Sequence, residues 1–460
     1  MKVRSFQFIS LNKGSSLLTF QKRRCIISGK QIPFNRTHSP VGGLKGKNFY
    51  LMKNCTASYD LIVIGSGPAG LAGAAFASAR GKRVLLLEKE ARFGGKLPLS
   101  GGGRCNVTNV LSPDEMARAF GKKSRFLLPA LRNLTPEGVR NYFKVRKCEI
   151  EVTDGFHCFP RSGKAMDLVN VFLNECEENG VEMLKNMRVE ELLSEEGHIK
   201  GVRCGKQSFF ASAVLLACGG KSYPKWSGCE DGYTLARQAG HTVTPLFPAM
   251  TGVQCVEEWP GICTGISLAD ARCAIDLPGE KTICRGELLF THQGISAFAV
   301  LDLAGRVAEL LQEHDVVPLR INLFAGMNEK DWQEKFKEWR QKSGKSPVSK
   351  LLGEFLPKRL IPYIAPDCET PFARFSNEMS AKLLENLTAL PLHARDTENW
   401  HKAMVTRGGV ALDEVNMKTM ESRLTPGLFF AGEVLDLDGP CGGYNIQWAI
   451  SSGALCARSV

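Results

Sequence analysis

Asp60–Ile64, DLIVI, is apolar at every position after the first and is closed by Gly65. A continuous apolar run of that length, bounded by glycine, predicts a strand buried on both faces. Ala69–Arg80 is rich in alanine and other small residues and predicts a helix. Gly81, Lys82 and Arg83 turn the chain, and Val84–Leu87 predicts a second buried strand that ends at Glu88. Strand, glycine turn, helix and strand in so short a span make a βαβ unit, whose two strands are parallel.

Farther along, Glu190–Ser194, Lys200–Cys204 and Gln207–Phe210 are short runs broken by Glu196-Gly197 and Gly205-Lys206, predicting a three-stranded meander. Ala213–Ala217 predicts another buried strand, closed by Gly219-Gly220, and Leu428–Ala431 a strand that runs into Gly432-Glu433. Tyr444–Ala457 reads as helix. Between these halves the texture changes. Residues 243–304 are short strand-like runs with Pro and Gly breaks, whereas 306–388 hold helix-like stretches such as Asn328–Arg340. The pattern divides the chain into a leader (1–55), a first nucleotide-binding part (56–242), an insert (243–400) and a second nucleotide-binding part (401–460).

At 460 residues the chain has room for more than one core, because single cores stop growing at roughly 250–300 residues. Its net charge of +12 suggests nucleic acid until it is located. Residues 1–59 contain eleven Lys or Arg and no acid, which leaves 48 basic against 47 acidic residues in the remainder. The body is therefore near neutral, and no nucleic-acid partner is expected. The leader has the Ser-, Lys- and Arg-rich, acid-free composition of an organellar transit peptide. Met52, just ahead of the first strand, is an equally natural start; the protein is then cytoplasmic, whereas a genuine leader sends it to an organelle. No stretch has the ~18–20 continuous apolar residues of a membrane span. The sixteen cysteines form no C-x-x-C pair, which argues for free thiols and against a zinc site or a redox pair.

Gly65-Ser66-Gly67-Pro68-Ala69-Gly70 is G-x-G-x-x-G. The hexapeptide alone is weak. Here it follows a buried strand, opens a helix and precedes Glu88, at the tip of the next strand, by 18 residues. That context marks a dinucleotide site. Gly65 permits the turn, Gly67 lets a pyrophosphate approach the backbone, and Gly70 lets helix and strand pack closely. Free N–H groups and the positive dipole end of the helix face the anion. Glu88 is placed to accept from ribose hydroxyls.

A second acidic site, in PGLFFAGEVLDLDGPCGGYNIQWAISSG (Pro426–Gly453), points to FAD rather than NAD alone. Gly432-Glu433 sets a carboxylate within reach of the ribityl chain of an extended cofactor. Gly442-Gly443 opens another helix, whose N-terminus can face the pyrimidine end of a flavin and its negative charge when reduced.

The chain resembles the BaiN/RdsA-like family of NAD(P)/FAD-dependent oxidoreductases, also called YhiN-like or aminoacetone-oxidase-like flavoproteins. The likeness rests on IVIGSGPAGLAGA, GGKLPLSGGGRCNVTN, GFHCFPRSGKAMDLV, LLACGGKSYP, DGYTLARQAGH, GELLFTHQGIS and the segment from Met404 to Ala449. It implies an α/β fold: a two-dinucleotide-type, Rossmann-like FAD domain interrupted by an inserted β-barrel-plus-helical domain. Two departures stand out. Lys225–Gly232 replaces a TGSTGDG-like turn, and Ala297-Phe298 replace the usual Gly-Pro after Gly294-Ile295-Ser296.

Residues and resemblance together give the expected cofactor-binding set: Gly65, Ser66, Gly67, Pro68, Ala69, Gly70, Glu88, Lys89, Lys96, Gly102, Gly103, Arg104, Val189, Ala217, Gly219, Gly432, Glu433, Gly443, Tyr444 and Asn445. SGGGRCN reads as a cofactor cradle, with Lys96 and Arg104 supplying positive charge and the FAD noncovalent. No metal ligands are expected. No second G-x-G-x-x-G follows a strand, so NAD(P)H enters as a transient donor at the flavin face. The leading reading is NAD(P)H-linked reduction of a small unsaturated or carbonyl compound. An amine oxidase using oxygen, and a non-redox flavoprotein in RNA modification, are the alternatives. Arg104, Tyr223, His292, Arg407 and Asn445 lie in family-like segments, but none is assigned a catalytic role.

Overall fold

A computed structural model describes residues 58–225 and 230–460. The basic leader, Met52 and residues 226–229 of the departing turn after Pro224 lie outside the described residues.

The strand Tyr59–Ile64 pairs in parallel with Val84–Leu87 on one side and with Gln207–Leu216 on the other, in the register Leu61↔Val84 and Leu61↔Ala213. Glu182–Leu184 extends the sheet beyond Val84–Leu87, and Leu428–Phe430 joins in parallel at Val214–Leu216. Leu61, Ile62 and Val63 are fully buried, as the unbroken apolar run requires. The helix Pro68–Ser78 covers one face, starting immediately after the glycine turn with Pro68 in its first turn, where the missing N–H costs nothing.

The meander forms with Glu191–Glu195 and His198–Cys204 antiparallel, but its third member differs from expectation. Gln207–Phe210 and Ala213–Ala217 are not separate strands. They run as one strand, Gln207–Leu216, whose first half pairs with the meander and whose second half lies inside the parallel sheet, between Tyr59–Ile64 and Leu428–Phe430. Half-exposed alternation and continuous burial look like two elements in sequence because the partners change midway, not because the backbone breaks.

The helix Tyr444–Ser459 returns to lie against Pro68–Ser78. A Cβ added at Gly453 would stand 2.2 Å from the Ala69 carbonyl oxygen, so this contact requires glycine. Residues from Leu61 to Ala236 and from Val410 to Ala457 share one hydrophobic core.

A second core, from Val253 to Ala394, lies in and around a closed antiparallel barrel. Its strands, in order around the barrel, are Val253–Cys255, Gly294–Ser296, Ile283–Thr291, Ser267–Ile275, Val317–Asn322 and Leu390–Thr397. Helices Phe298–Leu310, Glu329–Lys342 and Asn377–Thr388 accompany it. Glu329–Lys342 begins where the sequence implies, with Asn328 accepting from the Lys330 and Asp331 N–H groups and the Asp331 carboxylate accepting from the Asn328 N–H. The chain enters and leaves this region side by side: Phe247–Ala249 pairs antiparallel with Val405–Arg407. No helix among the described residues is long and apolar enough to cross a membrane.

Candidate active site

At the carboxyl ends of the parallel strands lies a cavity of about 420 Å³. Open α/β sheets place ligands at this end. Gly65, Ser66, Gly67, Pro68 and Ala69 line it from the first turn, and Glu88 and Lys89 from the end of the second strand. Lys96, Gly102, Val189, Ala217, Gly219, Gly432, Glu433, Gly443 and Asn445 line it as well.

Four members of the expected set stand elsewhere. Gly70 packs helix on strand: its Cβ would stand 1.9 Å from the Gly65 carbonyl oxygen. Gly103 lies behind Gly102 at the end of the turn Leu97–Gly103. The Arg104 guanidinium sits 4.6 Å from the centre of the Phe159 ring, a cation–π contact that draws the cation away from the cavity. Tyr444 is buried against Phe120 and Phe156.

The cavity wall is shaped for a close approach. A Cβ at Gly67, Gly102 or Gly219 would meet no protein atom within 4 Å. These glycines leave space that the protein itself does not fill, beside the N-terminus of the helix Pro68–Ser78. A pyrophosphate fits such a wall. Glu88 is buried, and its carboxylate accepts from the Ser66 N–H (2.9 Å), the Ser66 hydroxyl (2.5 Å) and the Glu90 N–H (2.9 Å). It is thus braced by its own loops at the edge of the cavity.

Glu433 is braced from farther away. One oxygen accepts from Lys96 Nζ at 2.6 Å; the other accepts from the Thr406 N–H at 2.8 Å and the Ser222 hydroxyl at 3.3 Å. Lys96 also donates to the Ser222 hydroxyl at 2.6 Å. Four segments distant in sequence meet at this carboxylate. The Asn445 amide both donates to the Gly439 carbonyl and accepts from its N–H, each at 2.8 Å, which fixes the loop before the last helix. The Asp302 carboxylate, on a helix accompanying the barrel, accepts from the Cys441 N–H at 2.7 Å and ties that loop to the second core.

SGGGRCN begins inside the 3-10 turn Leu97–Gly103, which is broken at Ser100, Gly101 and Gly102, the two glycines having φ of 55° and 65°. Cys105 follows, also left-handed at φ 60° and fully buried. Burial pushes its thiol up to about 12. It holds its proton at neutral pH and is a poor nucleophile for covalent attachment. Among the described residues, no group of three or more His, Cys, Asp or Glu side chains is placed to hold a metal ion.

Beyond the glycine wall the cavity is apolar. Met250, Phe298, Leu301 and Met404 line it, with Tyr223 beside them. Sequence reasoning missed the first four. Met250 and Met404 flank the paired crossing strands, and the Met404 N–H donates to the Met250 carbonyl at 3.3 Å; nothing in either local sequence signals that the two meet. The one sequence signal at these four is that Ala297-Phe298 stand where the resemblance expects Gly-Pro. Arg407 is drawn off to Glu309 and Asp438 (3.0–3.1 Å), and His292 lies in an exposed turn 3.4 Å from the Thr264 hydroxyl. Neither lines the cavity.

The family described as HI0933-like protein Rossmann domain matches residues 59–459. A "3-dehydro-bile acid delta(4,6)-reductase" of Clostridium scindens is 30% identical over 407 residues, 86% of this chain and 98% of that protein. A "Ribosomal RNA dihydrouridine synthase" of Escherichia coli is 31% identical over 419 residues, 87% of this chain and 98% of that protein. Among solved structures, a flavocytochrome c3 fumarate reductase aligns at 16% identity with a TM-score of 0.47, covering 87% of this chain and 78% of the other. With the nucleotide-binding sheet, the closed barrel and a match running nearly end to end over the described residues, this chain belongs to the HI0933-like Rossmann family and is an FAD-dependent oxidoreductase.

Proposed function

We propose that the protein reduces a small, uncharged unsaturated or carbonyl compound, drawing electrons from NAD(P)H. The supporting observation is the division of the cavity into a glycine wall and an apolar chamber, with the cations that line the cavity already paired with acids. Lys96 pairs with Glu433 at 2.6 Å, Lys89 with Asp231 at 3.5 Å, and Arg188 with Asp231 at 2.5 Å. An anionic substrate would find no uncommitted counter-charge among these groups, whereas a neutral apolar one would bury Met250, Phe298, Leu301 and Met404.

In this reading Gly65–Ala69 receive the pyrophosphate, Glu88 the adenosine ribose and Glu433, with Lys96, the ribityl chain. Gly443 and Asn445 close over the pyrimidine end. Bound FAD supplies a two-electron hydride acceptor and donor. The apolar residues exclude water from the reacting face. The names of both curated relatives describe products or substrates of reduction, one a bile acid and the other a uridine, which supports reduction over the oxidase reading.

The test is the visible spectrum of protein expressed from Met52, before and after anaerobic addition of NADPH or NADH. Flavin bands that bleach support the proposal, and bands that persist with both donors refute the NAD(P)H link. A second reading, reduction of a uridine in RNA, is favoured by the E. coli relative's name. Dihydrouridine formed by the reduced protein on ribosomal RNA, detected by mass spectrometry, would carry that reading instead.

A further inference from the structure

Reduction of a carbon–carbon double bond next to a carbonyl needs a proton as well as a hydride. Most proton-bearing side chains at the cavity are committed elsewhere. Lys96 is held by Glu433 and Ser222, and Ser100 donates to the Leu97 carbonyl at 2.7 Å. Glu88 and Glu433 act as acceptors throughout. Burial pushes the Cys441 thiol up to about 11, which makes it a reluctant donor at neutral pH.

Tyr223 differs on three counts. It lines the cavity next to the apolar residues. No hydrogen bond within the described residues engages its phenol. Its backbone is left-handed at φ 54°, a conformation an aromatic residue adopts only under constraint. The constraint is visible: the Tyr223 N–H donates to the Trp400 carbonyl at 3.0 Å, while the hydroxyl of the preceding Ser222 bonds the Met404 carbonyl at 3.1 Å and Glu433 at 3.3 Å. Met250, which also lines the cavity, is left-handed too, at φ 49°. Strain of this kind is stored where surroundings over-determine a position, and it clusters at working sites.

We infer that Tyr223 is the proton donor to substrate. The inference rests on the reductase reading above, with an α,β-unsaturated ketone as the substrate class. Hydride from reduced flavin adds to the β-carbon, and the double-bond electrons shift to the α-carbon. Tyr223 Oη gives that carbon its proton. The flavin is left oxidised, and the tyrosinate regains a proton from solvent through the open side of the cavity. A reduced nicotinamide restores the flavin between turnovers.

The experiment mixes dithionite-reduced holoprotein anaerobically with 2-methyl-2-cyclohexen-1-one, whose α-carbon becomes a stereocentre on protonation. Reduction by dithionite separates this test from the nicotinamide question. In the wild type the flavin should reoxidise and yield one enantiomer of 2-methylcyclohexanone, read by chiral chromatography. Tyr223→Phe should keep its flavin spectrum and melting temperature. Its reoxidation should slow by about 10²-fold or more, the usual worth of a positioned acid, and its product should approach a racemate because solvent supplies the proton. Tyr223→Asn, which tolerates a left-handed backbone, should behave alike and serves if the phenylalanine variant does not fold. A variant that matches the wild type in rate and enantiomeric excess overturns the assignment. So does a reduced wild type that the ketone cannot reoxidise.

Discussion

Gly67 and Gly70 stand three positions apart in one turn, and alanine at each should fail in a different way. Gly67 has φ −67° and ψ −179°, which any residue adopts, and a Cβ there would meet nothing within 4 Å. Restricting the unfolded chain favours alanine by about 0.4–1 kcal/mol, and its poorer N-capping costs a similar amount. Stability without cofactor should therefore change by less than about 0.5 kcal/mol. The new methyl would occupy the space a pyrophosphate needs. Losing one or two hydrogen bonds to a charged group at ~1.5–3 kcal/mol each gives about 1.5–6 kcal/mol, or roughly 10- to 20,000-fold weaker FAD binding. At Gly70 the Cβ would lie 1.9 Å from the Gly65 carbonyl oxygen and 3.2 Å from Val63 Cγ1. Backbone must move, and overpacking of this severity costs about 3 kcal/mol or more. Urea unfolding of cofactor-stripped protein, with a flavin-fluorescence titration alongside, reads both quantities. A Gly67→Ala protein that binds FAD as the wild type does would refute the cradle, and an undisturbed Gly70→Ala would refute the packing argument.

Ala297, at φ 72° and ψ −175°, occupies a region that only glycine visits freely. Ala297→Gly should raise stability by about 1 kcal/mol, the release of ~1–3 kcal/mol of strain exceeding the entropy glycine adds to the unfolded chain; a lower urea midpoint would contradict this. Glu433→Ala should release Lys96, Ser222 and Thr406 together and weaken FAD retention at least tenfold in the same titration, whereas Cys105→Ser should retain a noncovalent flavin that acid precipitation releases. His241 is buried between Glu414 (3.0 Å) and Ser422 (2.8 Å), with the Phe430 ring at 4.7 Å, and desolvation lowers its proton affinity more than Glu414 raises it. The unfolded chain takes up a proton near pH 6.5 that the fold resists, so the stability this adds is complete above that pH and is lost as pH falls through the lower folded value; His241→Asn should flatten that decline in pH-resolved urea melts.

The βαβ unit could be read from sequence because each of its signals is local: an unbroken apolar run, a glycine turn and an acid at the next strand end. The glycine wall followed from the same signals. Arg104 misled because charge and proximity in sequence say nothing about Phe159, which reaches it from a distant strand. The apolar chamber was illegible for a related reason. Met250 and Met404 become neighbours only when the two crossing strands pair, and pairing between segments some 150 residues apart leaves no trace in either local sequence. Glu433 and Lys96 were both singled out, but Ser222 and Thr406, which also hold that carboxylate, were not, since a charged side chain announces itself and a hydroxyl or a backbone N–H does not.

The order of the strands also sets a timetable for synthesis. The parallel sheet is completed by Leu428–Phe430, and the first helix is covered by Tyr444–Ser459, both made long after Tyr59–Ile64 has left the ribosome. The barrel and its helices, from Val253 to Thr397, contain all their own strand partners and emerge in one stretch. During translation the barrel can therefore close while the earlier-made nucleotide half still waits for the strand that joins Gln207–Leu216 and for the helix that covers Pro68–Ser78. A ribosome that stops before residue 428 releases a chain with a finished barrel and an unfinished sheet, and such a chain lacks Glu433, Gly443 and Asn445 from the cavity wall.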